Sequence, residues 1–257
     1  MDGNGRWAQQ AGQPRTEGHR RGADAVRRTV EACRRLGIPA LTLYAFSEQN
    51  WSRPPAEIAS LMALLRDYLV AEHDDILRHR ICLRAVGRTG RLPFFVRQVL
   101  DPLVRQSRAH DGMVLSLALS YGGREEIVDA VRHMAKQVAK GKLDPSHIDE
   151  TMLASHLPSH APGPVDLLIR TGGEKRLSNF MLWGAAYAEL HFSSVMWPDF
   201  SETELHRAII AYQQRERRFG AVGVDGAAHS SDPSRDSESS GNPRGMVLTP
   251  AALVTHA

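Results

Sequence analysis

Ala40-Leu-Thr-Leu-Tyr-Ala-Phe46 is a run of strand formers too short for an ordinary helix. It passes directly into Ser47-Glu-Gln-Asn-Trp-Ser-Arg-Pro54, a stretch of hydroxyl, amide and charged groups. A run with few polar interruptions suits a strand covered on both faces, the situation in parallel sheets. Similar runs lie at 81–86, 113–119 and 165–169, with a weaker one at 190–195. Between them, helical periodicity covers 18–36, 55–79, 91–109, 124–140, 146–157 and 202–219. In the second of these, Ile58, Leu61, Met62, Leu65 and Leu69 form a stripe at spacings of three and four. Strands alternating with helices predict an α/β fold: a single domain, 1–220, with a mostly parallel central sheet flanked by helices. From 221 to 257 the chain is rich in Gly, Ser, Asp and Pro. It is read as a disordered tail in which 246–255 docks at most weakly as a short helix.

Composition excludes several classes. With 257 residues, 42% apolar and 24% charged, the chain can bury a sizeable core without staples. It is no disulfide miniprotein, collagen-like fibre or wholly disordered chain. No apolar stretch reaches the roughly 18 residues that a membrane-crossing helix needs. Met1-Asp-Gly-Asn-Gly5 lacks the basic and apolar regions of a signal peptide. The two cysteines, Cys33 and Cys82, have neither framework nor metal-ligand spacing. A reducing, cytoplasmic setting is expected. The net charge of +3 is near balance, yet Arg6, Arg15, Arg20, Arg21, Arg27 and Arg28 crowd the first helical region. Such a cluster serves nucleic acid, lipid or a phosphorylated small molecule, or is a solvated helical face.

Ligands of open α/β sheets bind beyond the carboxyl ends of the strands. There the chain places Ser47 to Pro54, then Ser120-Tyr-Gly-Gly-Arg124, then Arg170-Thr-Gly-Gly-Glu-Lys-Arg-Leu-Ser-Asn179, and it opens with Asp2-Gly-Asn-Gly-Arg-Trp7. Glycine lets backbone N–H groups approach anionic oxygens, and arginine forks hold two phosphate oxygens at once. No loop is specific alone. Asp2-Gly-Asn-Gly5 is not a calcium loop, because Gln13 stands where that loop needs glutamate. Neither a Walker A motif nor Gly-x-Gly-x-x-Gly is present.

As an ordered set these motifs resemble the cis-prenyltransferases. The matching residues are Asp2-Gly-Asn-Gly-Arg-Trp-Ala8, Gly18-His-Arg-Arg-Gly22, Tyr44-Ala-Phe-Ser47 with Asn50-Trp-Ser-Arg-Pro54, Tyr121-Gly-Gly-Arg124, Asp166 through Glu174 into Arg176-Leu-Ser-Asn-Phe180, Ala186-Tyr187 with Glu189, and Trp197-Pro-Asp-Phe200. The likeness covers about 1–220.

The resemblance implies an enzyme that extends an allylic diphosphate with isopentenyl diphosphate, forming cis double bonds in a Mg²⁺-dependent reaction. Asp2 then matches the catalytic aspartate that holds the metal, and Glu189 a second metal-region acid. Gly3, Asn4, Gly5, Arg6, Arg15 and His19 match the cradle of the allylic diphosphate, with Trp7 and Trp51 shaping its pocket. Asn50 matches an asparagine assigned to proton removal. A neutral amide is a poor base, so an orienting role is preferred. Ser47, Glu48, Gln49 and Arg53 line the same loop. Arg170, Arg176, Leu177 and Ser178 match the donors for the second diphosphate. The growing chain would fill a hydrophobic tunnel lined by the 58–69 stripe with Leu117 and Leu119. The family implies a homodimer, to which Arg218-Phe-Gly220 would contribute, and peripheral membrane contact on product release.

One departure is large: family members carry a strand before the Asp-Gly-Asn-Gly motif, and here Met1 directly precedes Asp2, so the first strand is expected to be missing. Gln49 and Gly184 also differ from the usual residues. Two alternatives are carried: a short-chain, branching or cyclising prenyl diphosphate synthase of the same fold, and a basic nucleic-acid-binding protein, which lacks aromatic stacking platforms and is not favoured. The all-helical prenyltransferases use Asp-Asp-x-x-Asp, and Asp74-Asp75 is followed by Ile76, Leu77 and Arg78.

Overall fold

The structure is a computed structural model that describes residues 1–215 and the backbone of 252–256. The run that opened the reading is β1 (Ala40–Ser47). Its side chains divide between two cores, alternating until the register slips after Tyr44. Leu41, Leu43 and Phe46 enter the larger cluster with Leu115, Leu117 and Leu119. Tyr44 enters the smaller one, stacked 4.4 Å from Phe180 and edge-on to Tyr121. Both faces of β1 are thus buried, which is why the run has no polar alternation.

The strand β2 (Cys82–Val86) and β3 (Val114–Tyr121) follow, then β4 (Leu167–Arg170) and β5 (Glu189–Phe192). The helices are α1 (Asn4–Gln10), α2 (Arg15–Arg35), α3 (Pro55–Ala71), α4 (His73–Arg78), α5 (Phe94–Ser107), α6 (Gly123–Ala139), α7 (Glu150–Ser155) and α8 (Glu202–Gln213). Among the described residues the sheet has six strands in the order β2-β3-β1-β6-β4-β5, where β6 is Ala252–His256, with every pairing parallel. On the described residues this is the expected α/β architecture.

Boundaries differ where local chemistry intervenes. The single helix expected over 55–79 breaks at Glu72, whose buried carboxylate turns to Arg27 of α2, and α4 starts afresh. The region 146–157 divides into a 3₁₀ turn at Pro145–His147 and α7. The side chains of Asp144 and Asp149 each cap one of the two pieces. The stretch 216–219, expected to prolong α8, and Arg218-Phe-Gly220 lie outside the described residues.

Of the tail, five residues are described: Ala252–His256 forms β6, parallel between β1 and β4, where a short helix is the expected form of any docking by 246–255. Leu41 faces Leu253 on one side and Leu167 faces Leu253 on the other. Without it the facing edges of β1 and β4 would show unpaired N–H and C=O groups, a strong template for any strand-forming segment. Val254 and Thr255 have the β-branched side chains such a segment favours. Residues 221–251 lie outside the described residues.

Candidate active site

The site lies beyond the carboxyl ends of β1, β3 and β4. Asp2 is clamped there through its backbone: its N–H donates to Thr171 Oγ1 (2.9 Å), and the Thr171 hydroxyl donates to the Asp2 carbonyl (2.8 Å). Its side chain accepts from Arg170 Nη2 at 2.9 Å and lies 3.3 Å from Arg6 Nη2. Burial alone would raise the Asp2 carboxyl, but the Arg170 hydrogen bond and the charges of Arg170 and Arg6 outweigh it and hold it below the usual carboxylate range. Arg170 also donates from Nη1 to Ser178 Oγ (2.7 Å) and to the Arg176 carbonyl. One guanidinium therefore ties Asp2 to the 176–178 loop.

Two glycines are needed in this corner. Gly3 has φ +106°, and a Cβ there would lie 2.9 Å from Met196 Cβ. Gly172 has φ +82°, and a Cβ would meet Arg6 Nη2 at 2.7 Å. Ser178, Asn179 and Met181 also hold positive φ without being glycine. Such clustered strain is typical of functional loops.

Across the pocket, Arg15 and His19 of α2 and Arg53, just ahead of α3, surround the carboxylate of Glu57 on α3. Glu57 lies 3.0 Å from Arg53 Nη1, 3.5 Å from Arg15 Nη2 and 3.8 Å from His19 Nε2. The last distance exceeds a hydrogen bond, and His19 Nε2 is buried with no partner among the described residues. Desolvation, aided by the Arg53 and Arg15 charges, lowers the His19 pKa to about 4, so the ring is neutral at pH 7.

The segment after β1 explains which loop residues join. The β1–β3 register slips between Tyr44 and Phe46 and again before Ser47. A 3₁₀ turn, Glu48–Ser52, follows. With three residues per turn, Ser47, Asn50 and Arg53 share one side, and all three line the pocket. Asn50 Oδ1 accepts from the Ser47 N–H (2.9 Å), which leaves the NH₂ as the half of the amide able to meet a ligand. Glu48 and Trp51 share the opposite side and meet at Ser120. Trp51 Nε1 donates to its hydroxyl (2.9 Å), which donates to Glu48 (2.9 Å). Glu48 further pairs with Arg91, whose guanidinium lies 5.0 Å from the Trp51 ring centre.

Of the residues singled out in the sequence, Asp2, Gly3, Asn4, Gly5, Arg6, Arg15, His19, Ser47, Asn50 and Arg53 line one pocket. Gln49, Leu177 and Ser178 line the neighbouring one. Others are not brought in. Glu48 and Trp51 face away, and Trp7 donates its indole N–H to Asp199 (2.8 Å). Arg176 is exposed and paired with Glu174. Glu189 faces Leu167 in the register, three positions before the Arg170–Phe192 level, roughly 10 Å along the sheet from Asp2's partner. Its carboxylate takes Arg215 instead. Within one chain, then, Asp2 and Glu189 do not form a metal shell. Among the described residues no group of three metal-ligating side chains occurs.

Sequence reasoning missed Thr171, Glu57 and Glu174, the last lying 3.7 Å from Arg6. Glu57 had a signal, its i,i+4 spacing from Arg53; Thr171 and Glu174 stood inside a quoted motif without an assigned part. Most other arginines of the N-terminal cluster go to internal partners: Arg20 and Arg21 to Glu17, Arg27 to Glu72, Arg28 to the Pro198 carbonyl. Arg6 and Arg15 are the members that face the pocket.

Behind the polar pocket opens an apolar cavity of about 110 Å³ that shares Met1, Asn4, His19, Ala45 and Leu61 with it. It runs between α2 and α3 under β1 and β3, with Leu65, Leu117 and Leu119 in its wall. This is the expected hydrophobic tunnel, with Ile58 and Leu69 of the stripe packed into the core rather than lining it. No described helix is long and apolar enough to cross a membrane.

Comparison with known proteins agrees with this geometry. A family profile described as "Putative undecaprenyl diphosphate synthase" matches residues 1–220. The chain is 47% identical over 222 residues to the ditrans,polycis-undecaprenyl-diphosphate synthase ((2E,6E)-farnesyl-diphosphate specific) of Escherichia coli (strain K12), covering 86% of this chain and 88% of that protein. It is 49% identical over 220 residues to the isoprenyl transferase of Chlorobaculum tepidum, covering 86% and 83%. The crystal structure of lavandulyl diphosphate synthase from Lavandula x intermedia, in complex with dimethylallyl diphosphate, superposes with a TM-score of 0.83 at 37% identity, covering 86% of this chain and 95% of that one. The chain belongs to the cis-prenyltransferase family, the enzymes that join isopentenyl diphosphate to an allylic diphosphate.

Proposed function

We propose that the chain condenses isopentenyl diphosphate with an allylic diphosphate using one polar pocket for each head group and the apolar cavity for the product. One observation carries the reading. An ionised carboxylate, three arginines and a buried imidazole nitrogen without a partner converge at the mouth of an apolar cavity. That is the shape and chemistry of an amphiphile with an anionic head. Four orphaned or loosely paired donors suit diphosphate oxygens, whose water must be replaced.

In this reading Arg6, Arg15, Arg53 and His19 receive the allylic diphosphate, with Gly3 and Gly5 admitting it close to the backbone. Arg176 and Ser178 receive the second diphosphate, with Arg170 holding their loop in place and Gln49 and Leu177 beside it. The allylic C–O bond breaks, diphosphate departs, and the carbon left behind bonds to the isopentenyl terminal carbon; the proton then leaves from the carbon next to the one that bears the diphosphate, which makes a new allylic double bond. The Asn50 NH₂ orients the second substrate near that carbon, and the proton leaves to a diphosphate oxygen or water. Asp2 fits as the holder of Mg²⁺: one ionised carboxylate facing a pocket, completed by diphosphate oxygens and water, is a normal magnesium set. Bound there, Mg²⁺ supplies charge neutralisation at the leaving oxygens. Glu189 has no part in that set within one chain. The catalytic unit is 1–220. The proposal includes a homodimer, read by sedimentation equilibrium, and peripheral membrane contact on product release, read by vesicle flotation after turnover.

The test is direct. Purified protein with Mg²⁺, labelled isopentenyl diphosphate and allylic primers of several lengths should yield products lengthened by whole five-carbon units. Asp2→Ala should lower the rate by about a thousandfold or more, the size expected for loss of a group acting on the leaving charge. No elongation with any primer, or a fully active Asp2→Ala, defeats the reading.

A further inference from the structure

The turn after β1 has two sides, and the side away from the pocket is built as carefully as the side toward it. On the pocket side stand Ser47, Asn50 and Arg53. The ends of that row are anchored outside the turn: Ser47 is the last residue of β1, and Arg53 pairs with Glu57 of α3 at 3.0 Å. Asn50, between them, bonds within the turn itself. Its Oδ1 accepts from the Ser47 N–H (2.9 Å) and its carbonyl from the Arg53 N–H (3.1 Å). A short 3₁₀ turn has poorer hydrogen-bond geometry than an α-helix, so its middle needs outside support.

That support comes from the reverse side. The Ser120 hydroxyl, at the carboxyl end of β3, accepts from Trp51 Nε1 and donates to Glu48 Oε2, each at 2.9 Å. The other Glu48 oxygen pairs with Arg91, from the 3₁₀ turn Thr89–Arg91, and the Glu48 side chain is only 16% exposed. Arg91 in turn covers the Trp51 ring, which Phe46 of β1 meets edge-on at 4.9 Å. Ser120 is buried and holds φ +48°, a region that residues other than glycine seldom occupy. The backbone there suits glycine, but glycine has no hydroxyl to join Trp51 to Glu48. Strain kept at such a point marks a residue held for its side chain.

We infer that Glu48, Ser120, Trp51 and Arg91 form a positioning network that aims the Asn50 NH₂ at the second substrate. None of the four lines the polar pocket, so they act through Asn50. This rests on the reading of Asn50 as the group that orients isopentenyl diphosphate. Without the network, Ser47 and Arg53 keep their anchors and the middle of the turn shifts. A small misplacement of an orienting group lowers rate more than it weakens binding.

The experiment is steady-state kinetics of the whole chain with Mg²⁺, an allylic primer and isopentenyl diphosphate, each substrate varied in turn. It compares the wild type, Asn50→Ala, Ser120→Gly, Glu48→Gln and the double variant Asn50→Ala/Ser120→Gly, with melting temperatures read alongside. Ser120→Gly removes the hydroxyl while suiting the left-handed backbone, which separates a lost rate from a lost fold. It should lower kcat/KM for isopentenyl diphosphate about tenfold or more and leave the KM of the allylic primer unchanged. Glu48→Gln keeps an acceptor for Ser120 without a charge for Arg91, and its loss should be smaller. In the Asn50→Ala background Ser120→Gly should cost nothing further, because groups acting as one unit do not add. If Ser120→Gly melts too low to assay, Glu48→Gln takes its place in the cycle. Additive losses in the double variant, single variants with wild-type kinetics, or a loss that falls equally on the allylic KM overturn the inference, while an impaired Asn50→Ala keeps the reading of Asn50. If Asn50→Ala elongates at the wild-type rate, that reading falls and the inference with it.

Discussion

Arg170 and Arg53 approach the same site from opposite walls, and they are held in opposite ways. Arg170 is 3% exposed, and its terminal nitrogens are committed to Asp2, Ser178 and the Arg176 carbonyl. Arg53 is 32% exposed and shares Glu57 with Arg15, itself 46% exposed. The first guanidinium belongs to the framework: it fixes where Asp2 points and keeps it ionised. The second group is a receptor occupied by a carboxylate of its own chain, which an arriving diphosphate can displace. A buried pair loses heavily when one partner is removed, whereas exposed pairs are worth little.

The largest expected effect follows from that contrast. Arg170→Ala leaves the Asp2 carboxylate half-buried without its main partner and cuts the tie to Ser178. It should destabilise the fold by about 3 kcal/mol, read by denaturant unfolding, and lower turnover by about a hundredfold or more. A variant with native stability and rate would show that Arg170 is no framework at all.

The Asp2–Arg170 pair spans 168 positions, and nothing local in the sequence announces it. The strands were legible because β1 and β3 are buried on both faces, so their composition alone marks them. The site was legible in part. Ser47 to Arg53 stood out as a loop, but only the 3₁₀ repeat decides that Ser47, Asn50 and Arg53 face inward while Glu48 and Trp51 turn to Ser120. Glu189 misled because its place depends on the β4–β5 register, which the run 190–195 left unfixed. β6 was hidden by its surroundings: five residues with some β preference, in a stretch rich in Gly, Ser and Pro, pair with β1 and β4. Local composition does not contain that pairing partner.

An intermediate effect concerns His19, which belongs to the receptor wall yet is buried like the framework. Its folded pKa of about 4 lies below the 6.5 of a free imidazole. Above pH 6.5 both states are neutral and the group contributes nothing to the pH dependence. As pH falls from 6.5 toward 4 the unfolded chain takes up a proton that the folded ring refuses, so stability drops. The loss should reach roughly 2–3 kcal/mol near pH 4. Unfolding curves of wild type and His19→Gln, compared from pH 8 to 4, isolate it: the wild type should fall more steeply below pH 6.5. Parallel curves would place His19 in contact with water and with the exposed wall.

The smallest effect bears on whether the receptor is held by exchange. In Glu57→Gln, Arg15, Arg53 and His19 lose the carboxylate that stands in for a ligand, and an incoming diphosphate no longer competes with it. Removing an internal anion that must be displaced favours binding, while the lost i,i+4 pair with Arg53 costs only about 0.3–0.5 kcal/mol of helix stability. The two terms oppose, and the competition should win because Glu57 faces three cationic or donor groups and the helix pair is one contact. The expected outcome is a KM for the allylic substrate lowered about two- to fivefold, with turnover little changed, since a counter-ion absent from both bound states acts on binding alone. A raised KM would mean that Glu57 orients Arg53 and Arg15 for the ligand. The wall opposite Arg170 would then also be framework, and the contrast between the two sides would vanish.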